Sequence, residues 1–376
     1  MDFSITEEQS MLADTLSRFI DNEYTFENRM QVAESAEPFS ADIWQTYAEL
    51  GLTAALLDEA DGGLGGGPVE LMLIMEQFGR GLVLEPYLAN VVLAGGLLKR
   101  VGNAQQKEEL LAKIVDGSLQ AALAFAEPQA RYDVANISTI ATKSSDGFVL
   151  SGRKTLVLNG ASADVVVVPA RTSGEQADTA GISLFLVSTK SAGVSIDSYQ
   201  TVDAHGSAEI ELSDVEVAES ALLGEADRGY EVLQQVIDEA TLAVSAEAVG
   251  ILRTLHDKTV EYVKDREQFG VPIGSFQALQ HRLVDTLMLC EQSRSLLLWA
   301  VMLAAENKPE AARAISALKY QVGTAGRQVA QEAVQMHGGM GVTWEMDIAH
   351  YFKRHQAIGA LFGDADFHLD RYLSLS

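Results

Sequence analysis

The chain has 376 residues, of which 47% are hydrophobic, so it contains enough apolar material for two or three domains. Its 53 acidic residues outnumber the 27 basic ones, and the formal net charge of −26 argues against binding of nucleic acid or of anionic lipid, since both need clustered cations. The single cysteine, Cys290, rules out an internal disulfide and favours a reducing compartment, with the cytoplasm as the expected location.

The first part of the chain, residues 1 to about 117, has the period of helices. Thr6 and Gln9 form a capping-box pattern that predicts the start of the first helix. We see neither the basic and apolar segments of a secretory signal nor a run of about 18 apolar residues, so we expect no membrane span. The run Gly62–Gly67 lacks the ending of a phosphate-binding loop, which favours a surface turn. Further helices are predicted over about 40–50, 69–83, 86–101 and 104–116.

The period changes between about residues 118 and 217. Short runs rich in β-branched residues, bounded by Gly, Asn, Asp and Ser, predict strands. Helices do not alternate with these runs, which disfavours a doubly wound sheet. We therefore expect an antiparallel β-domain over 118–227. The predicted strands are 148–160, 163–173, 181–189, 192–199 and 207–217.

Helical periodicity returns from about residue 228. Pro309 suits the first position of a helix, and Gly338 suits the end of one. Four long helices joined by short links predict a bundle over 228–376. The expected fold is therefore α+β and multidomain, with an N-terminal helical domain over 1–117, a middle antiparallel β-domain and a C-terminal four-helix bundle. The helices of the bundle are predicted over about 228–264, 275–306, 309–336 and 346–361.

Glu247 is the only charged residue in the apolar run 240–252 of a predicted helix. A carboxylate on such a face has to be paired or has to face a cavity, because burying an unpaired charge is costly. Two interpretations stay open here. Glu247 forms an ion pair with another helix or subunit, or it stands in a substrate cavity.

Two motifs place polar side chains beside glycine at helix breaks. The stretch REQFGVPIGSFQ carries Arg266, Phe269 and Gln277, and the stretch QMHGGMG carries Gln335 ahead of its glycines. Glycine lets a ligand come close to the backbone, and the guanidinium and amides offer hydrogen bonds. Together the two motifs predict a polar or anionic ligand. The histidines show no metal-ligand spacing, so we expect no metal site.

With the order helices–sheet–helices, these two motifs resemble the acyl-CoA dehydrogenase family over essentially the whole chain. At finer grain the chain is similar to small subunits of pimeloyl-CoA dehydrogenases and of steroid side-chain dehydrogenases of α2β2 type. Segments such as AEAVG, IGSFQALQHR and LFGDADFHLD carry this closer likeness. The resemblance implies that one motif lies against the FAD of a neighbouring subunit and that the other holds its adenosine side. The first set is Arg266, Phe269 and Gln277, and the second is Gln335, Gly338 and Gly339.

The chain departs from the family pattern where its own flavin ring would lie. Ala126 replaces the threonine that usually precedes the Glu-Pro pair, and the run 156–159 reads Leu-Val-Leu-Asn instead of Trp-x-Thr-Asn. The usual position of the catalytic glutamate is Phe362, with Asp364 and Asp366 nearby but out of register. A second family position for the base falls at Ala240, on the helix of Glu247.

The resemblance implies that FAD is the cofactor and that an acyl-CoA is oxidised to the 2-enoyl-CoA, with an electron-transfer flavoprotein as acceptor. A base removes the α-proton while the flavin takes the β-hydride. Glu247 is the candidate base of this chain. We expect a small subunit that completes an FAD site with a homologous large subunit. The alternatives are a self-sufficient homotetramer with an atypical base and a structural partner without flavin.

Overall fold

The computed structural model describes residues 5–375. Contacts divide the chain into two compact units, and each draws on separate stretches of sequence. The division into three consecutive domains therefore stays a prediction. One unit contains Met1–Gln31, Gly67–Val83 and Thr241–Ser376, and the other contains Val32–Gly66 and Leu84–Ala240.

The amino-terminal third is helical, as its period predicts. The capping box is confirmed: Thr6 Oγ1 accepts from the Gln9 N–H at 3.2 Å, and Gln9 Oε1 accepts from the Thr6 N–H at 2.9 Å. Two π-helical stretches, Leu88–Gly95 and Lys107–Leu111, lie within the predicted helices. The helices are α1 (Glu7–Asn22), α2 (Phe26–Ala33), α3 (Ala41–Glu49), α4 (Pro68–Gly81), α5 (Gly96–Val101), α6 (Ala104–Gln106) and α7 (Ala112–Val115).

The middle of the chain forms an eight-stranded sheet. Its strands are β1 (Ala121–Leu123), β2 (Ile140–Lys143), β3 (Gly147–Leu158), β4 (Val165–Arg171), β5 (Ile182–Ser188), β6 (Val194–Gln200), β7 (Gly206–Ala218) and β8 (Leu222–Leu223). The order is β6-β7-β3-β2-β4-β5-β8, with β1 also paired to β4.

The sheet is mixed, which corrects the expectation of a purely antiparallel β-domain. Strands β1 and β2 pair with β4 in parallel, and the other pairs are antiparallel. β1 and β2 are only three and four residues long, which is too short for a recognisable alternation. Leu150, Val166 and Phe185 are fully buried in the core of this sheet.

The carboxy-terminal part is again helical, with α8 (Gly229–Asp265), α9 (Gln277–Ala305), α10 (Ala311–His337), α11 (Asp347–Ala360) and α12 (Ala365–Ser374). A small hairpin of β9 (Glu267–Gln268) and β10 (Val271–Pro272) joins α8 to α9. The four predicted helices are present, and α12 is a further one that the period did not reveal. Gly338 ends α10 as predicted, with a φ of 60°. Pro309 does not begin α10, because Pro309 and Glu310 form a turn ahead of Ala311.

Two apolar features of this part bear on the sequence predictions. Cys290 is 5% exposed with its Sγ at 3.5 Å from the Leu252 carbonyl oxygen, and burial raises the pKa of the thiol to about 12, so it is a structural residue. Within the described residues, α9 alone is long and apolar enough to cross a membrane by length and composition. Charged residues such as Glu291 and Arg294 interrupt its apolar sequence, so the expectation of no membrane span stays a prediction. α9 packs against α10.

Candidate FAD and acyl-CoA site

Three helix termini meet at one end of the carboxy-terminal bundle. α8 and α9 are joined by a short hairpin, and α9 and α10 by five residues, so the three helices run alternately in opposite directions. The end of α8, the start of α9 and the end of α10 therefore lie together. The two sequence motifs lie at these three helix termini. The fold therefore brings Arg266, Gln277 and Gln335 to one surface.

The hairpin after α8 presents an aromatic side chain to solvent. Phe269 and Gly270 form its two-residue turn with φ of 58° and 81°, the left-handed conformations of a type I′ turn. A phenylalanine rarely adopts such a φ, and here its side chain is 94% exposed. Among the described residues, the ring of Phe269 contacts one other aromatic ring, that of Phe276. The two rings are T-shaped, with 6.2 Å between their centroids. Its strained backbone and exposed ring make Phe269 a candidate for contact with a ligand or a partner.

The polar residues of this surface have unused hydrogen-bonding groups. Arg266, Gln277 and Gln335 are exposed. Within residues 5–375 their side chains form no ion pair and no hydrogen bond. Gly338 and Gly339 have no atom within 4 Å of the place where a Cβ would stand. The surface thus combines free donors with an open stretch of backbone. No group of three or more His, Cys, Asp or Glu side chains in the described part of the chain could hold a metal ion.

The sheet carries the positions where the sequence departs from the family pattern. Leu156 interrupts β3 with a φ of 48°, and its N–H lies 3.4 Å from Glu209 Oε1. The same oxygen accepts from Thr155 Oγ1 at 2.5 Å. The Ala126 carbonyl accepts from the Thr155 N–H at 2.9 Å, so the backbone is held although the threonine hydroxyl is missing.

A buried ion pair lies directly behind these positions. Lys154 Nζ donates to Glu127 Oε1 at 2.7 Å and to the Pro169 carbonyl at 2.7 Å, and both charged side chains are 0% exposed. Burial alone would raise the pKa of Glu127, but the Lys154 charge and its hydrogen bond, together with those from Ser138 and Thr139, outweigh it and hold the pKa at about 2. The sequence pattern gave no signal for this pair.

Glu247 lies on α8 and is paired. Arg354 Nε donates to its Oε1 at 2.5 Å and Arg354 Nη2 to its Oε2 at 2.7 Å, and both side chains are buried. α8 also crosses α4 closely, because a Cβ on Gly79 would stand 2.0 Å from the Glu247 carbonyl oxygen. With both carboxylate oxygens occupied, Glu247 matches the interhelix ion pair that the sequence left open, and a catalytic role has no support in its geometry.

The turn between α11 and α12 holds the usual position of the catalytic glutamate. Phe362 is 8% exposed with a φ of 57°, and its carbonyl accepts from His368 Nε2 at 3.1 Å. The Gly363 carbonyl accepts from the buried Lys319 Nζ at 2.7 Å. Asp364 Oδ1 accepts from the Phe367 N–H at 2.9 Å and so caps α12. At the usual position of the catalytic glutamate the turn has Phe362, and the nearby Asp364 carboxylate caps α12.

The burial of Lys319 against this turn predicts that the stability of the protein depends on pH. Burial lowers the pKa of Lys319 to about 7, against roughly 10.4 for the unfolded chain. Between these values the unfolded state binds the extra proton, so the stability that Lys319 contributes rises with pH, by up to about 1.4 kcal/mol per unit. We expect wild type to become more stable relative to Lys319→Met as the pH rises from 7.5 to 9.5. The difference between their free energies of unfolding, from urea titrations, measures this change. A constant difference would show that Lys319 keeps an ordinary pKa.

Three family models match consecutive parts of the chain: the acyl-CoA dehydrogenase N-terminal domain at residues 6–118, the middle domain at 122–215 and the C-terminal domain at 227–372. The chain belongs to the acyl-CoA dehydrogenase family. Membership confirms the predicted α+β fold, and it makes FAD the cofactor and dehydrogenation of the CH–CH bond of an acyl-CoA the class of reaction.

Relatives and solved structures of acyl-CoA dehydrogenases cover almost the whole chain. Subunit CarC of the caffeyl-CoA reductase-Etf complex of Acetobacterium woodii is 30% identical over 353 residues, which are 93% of this chain and 92% of the relative. The ChsE4-ChsE5 complex of Mycobacterium tuberculosis has a TM-score of 0.90 at 28% identity and covers 100% of this chain and 98% of that one. PigA with FAD and proline has a TM-score of 0.92 at 25% identity, with 100% of both chains covered.

The end of the bundle fits the family cofactor. A pyrophosphate needs a cation and hydrogen-bond donors, which Arg266 and the two glutamines supply. A ribose or an adenine needs free space beside the backbone, and such space is present at Gly338 and Gly339. The assignment of these residues to FAD stays a prediction. The sequence patterns did not reveal the roles of Arg354 and Lys154, because each residue is distant in sequence from the carboxylate that it neutralises.

Proposed function

We propose that this chain is a subunit of a heteromeric acyl-CoA dehydrogenase and that it completes an FAD site at the contact with a homologous subunit. The observation that carries the proposal is the asymmetry between its two flavin-related regions. The exposed end of the bundle has free donors, an open glycine turn and an outward-facing aromatic ring. The sheet, in contrast, has Ala126 and Leu156 at two positions where the family pattern has a threonine and a tryptophan.

Each residue of the bundle end has a role in this proposal. Arg266 donates to the pyrophosphate, and Phe269 covers an apolar part of the cofactor. Gln277 and Gln335 supply amide donors and acceptors, and Gly338 and Gly339 let the adenosine side approach the backbone. FAD, when bound, accepts the β-hydride of the acyl-CoA. The base that removes the α-proton comes from the homologous subunit, because this chain has Phe362 at the usual position and a paired Glu247.

The relatives support this choice of partners. One structural neighbour is a complex of two chains, ChsE4 and ChsE5, and one relative is named as a subunit of a complex with an electron-transfer flavoprotein. We extend both features to this chain: a homologous dehydrogenase subunit in an α2β2 assembly, and an electron-transfer flavoprotein as acceptor. The acidic composition and the single cysteine favour the cytoplasm for this assembly.

Arg266→Ala tests the proposed site. In the complex co-expressed with the homologous subunit, we expect FAD affinity to fall about 10- to 100-fold, since a charge-assisted hydrogen bond contributes roughly 1.5–3 kcal/mol. Flavin content and the dissociation constant, from flavin fluorescence, measure it. Arg253→Ala is the matched control, because Arg253 is an exposed arginine of α8, the helix that Arg266 directly follows, and it pairs with Asp257 and Glu291. Equal FAD affinity of both variants would contradict the proposed role of Arg266.

The flavin content of wild type separates the alternatives. A site shared between subunits predicts one FAD per two chains in the complex and little FAD on this chain expressed alone. One FAD on every chain of a homotetramer would favour a self-sufficient enzyme. A complex without flavin would favour a structural partner.

A further inference from the structure

An aromatic stack joins Tyr262, which lies outside both motifs of the bundle end, to His337, which lies within the motif QMHGGMG. Tyr262 lies one helical turn before Arg266 on α8, and His337 is the last residue of α10, directly before Gly338. Their ring centroids are 4.2 Å apart with an interplanar angle of 26°. The Tyr262 hydroxyl also points at the His337 carbonyl oxygen, at 3.4 Å. The stack is therefore a direct bridge between the end of α8 and the end of α10.

His337 transmits its position to the glycine turn. It is 4% exposed, and Nδ1 donates to the Ala333 carbonyl at 2.8 Å, which fixes the ring against its own helix. Burial lowers the pKa of His337, so a neutral ring faces Tyr262. The turn folds back tightly on this residue, because a Cβ on Gly341 would stand 2.9 Å from His337 Cβ. Movement of His337 thus displaces Gly338 and Gly339.

The same face of α8 also holds the far end of the glycine segment. Lys258 lies four residues before Tyr262 and pairs with Asp347, the first residue of α11, at 2.8 Å. The segment between His337 and Asp347 is therefore tied to α8 at both ends.

The Arg266 hairpin is anchored on the same turn of α8. The Arg266 N–H donates to the Tyr262 carbonyl at 2.8 Å, and the Ile273 N–H donates to the Arg266 carbonyl at 2.8 Å. Gly274 lies against the backbone of Val263, since a Cβ there would stand 2.9 Å from that carbonyl oxygen. One turn of α8 thus positions both motifs. The backbone of α8 sets the position of the hairpin, and the Tyr262 ring sets the position of the glycine turn.

We propose that Tyr262 is a positioning residue of the FAD site: its stack on His337 fixes the spacing between Arg266 and Gly338–Gly339, so that both motifs hold one dinucleotide. This inference rests on the proposed function. Without the stack, the spacing between the two motifs is fixed less tightly, and binding of FAD has to order them. An aromatic pair of this kind corresponds to roughly a three- to tenfold change in affinity.

The test compares Tyr262→Leu with Tyr262→Phe in the complex co-expressed with the homologous subunit. We expect Tyr262→Leu to weaken FAD binding about three- to tenfold and Tyr262→Phe, which keeps the ring, to stay within about twofold of wild type. The matched control is Tyr372→Leu, because Tyr372 is another half-buried tyrosine that packs on a side chain of α10, with Arg313 at 4.2 Å from its ring. This variant loses a comparable contact, but it leaves the bundle end unchanged.

A second measurement does not need the cofactor. In flavin-free protein, amide hydrogen exchange across Gly338–Val342 should accelerate in Tyr262→Leu and stay at the wild-type rate in Tyr372→Leu. His337→Gln, which removes the other ring, should reproduce the faster exchange. Unchanged exchange in both stack variants would overturn the inference. So would equal loss of FAD affinity in Tyr262→Leu and Tyr372→Leu.

The failure of the proposed function has a different signature. If Arg266→Ala weakens FAD binding and Tyr262→Leu does not, only the positioning role is lost. If wild type binds no FAD even in the complex, the proposed function fails, and the positioning role fails with it.

Discussion

Replacement of Lys154 with methionine should lower the free energy of unfolding by about 3–5 kcal/mol, the cost of leaving a buried charge without its partner. The Glu127 carboxylate would remain in the core of the sheet unit with its hydrogen bonds from Gln129, Ser138 and Thr139 but without a counter-charge from Lys154. Urea unfolding at pH 7, followed by circular dichroism, measures this change. We expect the largest loss of stability here because both side chains are fully buried.

Lys143→Met is the matched control in the same sheet. Lys143 pairs with Glu219 at 2.8 Å, but the two side chains are 55% and 74% exposed, so we expect a loss below about 1 kcal/mol. The Glu127→Leu/Lys154→Met double variant should recover part of the stability, because it removes both charges. Equal losses for Lys154→Met and Lys143→Met would show that the buried pair contributes no more than a surface pair.

The Glu127 pair also predicts a pH dependence of wild type. The pKa of Glu127 is about 2 in the folded chain and higher when unfolded, so its contribution is present at neutral pH and disappears as the pH falls from about 4.5 to about 2. Lys154→Met should show a weaker loss of stability over this range.

Glu247→Gln should lower the free energy of unfolding by about 3 kcal/mol, because it removes the charge of the carboxylate that binds the buried Arg354 guanidinium through two hydrogen bonds. The substitution preserves the shape of the side chain, so the change reports the charge rather than a cavity. Unfolding in urea at pH 7 measures it. The matched control is Glu291→Gln, since Glu291 pairs with Arg253 at 3.0 Å on the surface, with side chains 61% and 55% exposed.

The same variant decides between the two interpretations of Glu247. If Glu247 is the structural residue that its ion pair indicates, the assembled enzyme carrying Glu247→Gln retains turnover below its melting temperature. Loss of turnover without any loss of stability would instead make Glu247 the base. Turnover with an acyl-CoA and a dye acceptor, measured beside the melting temperature, separates the two results.

Local features of the fold were predictable because they depend on neighbouring residues. The capping box of Thr6 and Gln9, the glycine that ends α10 and the strands from 147 to 218 each follow from a short pattern. Pro309 shows the limit of such a pattern, since a proline suited to the first turn of a helix also suits the turn before it. The parallel pairing of β1 and β2 with β4 depends on chain connections that periodicity does not encode.

The sequence by itself determined the succession of helical, sheet and helical regions and the family, and it predicted the residues of the two ligand motifs, because spacing and residue type carry this information. Only the tertiary structure decided which groups are paired and which are free. Glu247 meets Arg354 from 107 positions along the chain, and Tyr262 meets His337 from 75. Such contacts form because packing brings distant helix faces together, and no local pattern records the partner. The same packing left Arg266 and Phe269 exposed at the end of the bundle, where a second chain and a dinucleotide can reach them.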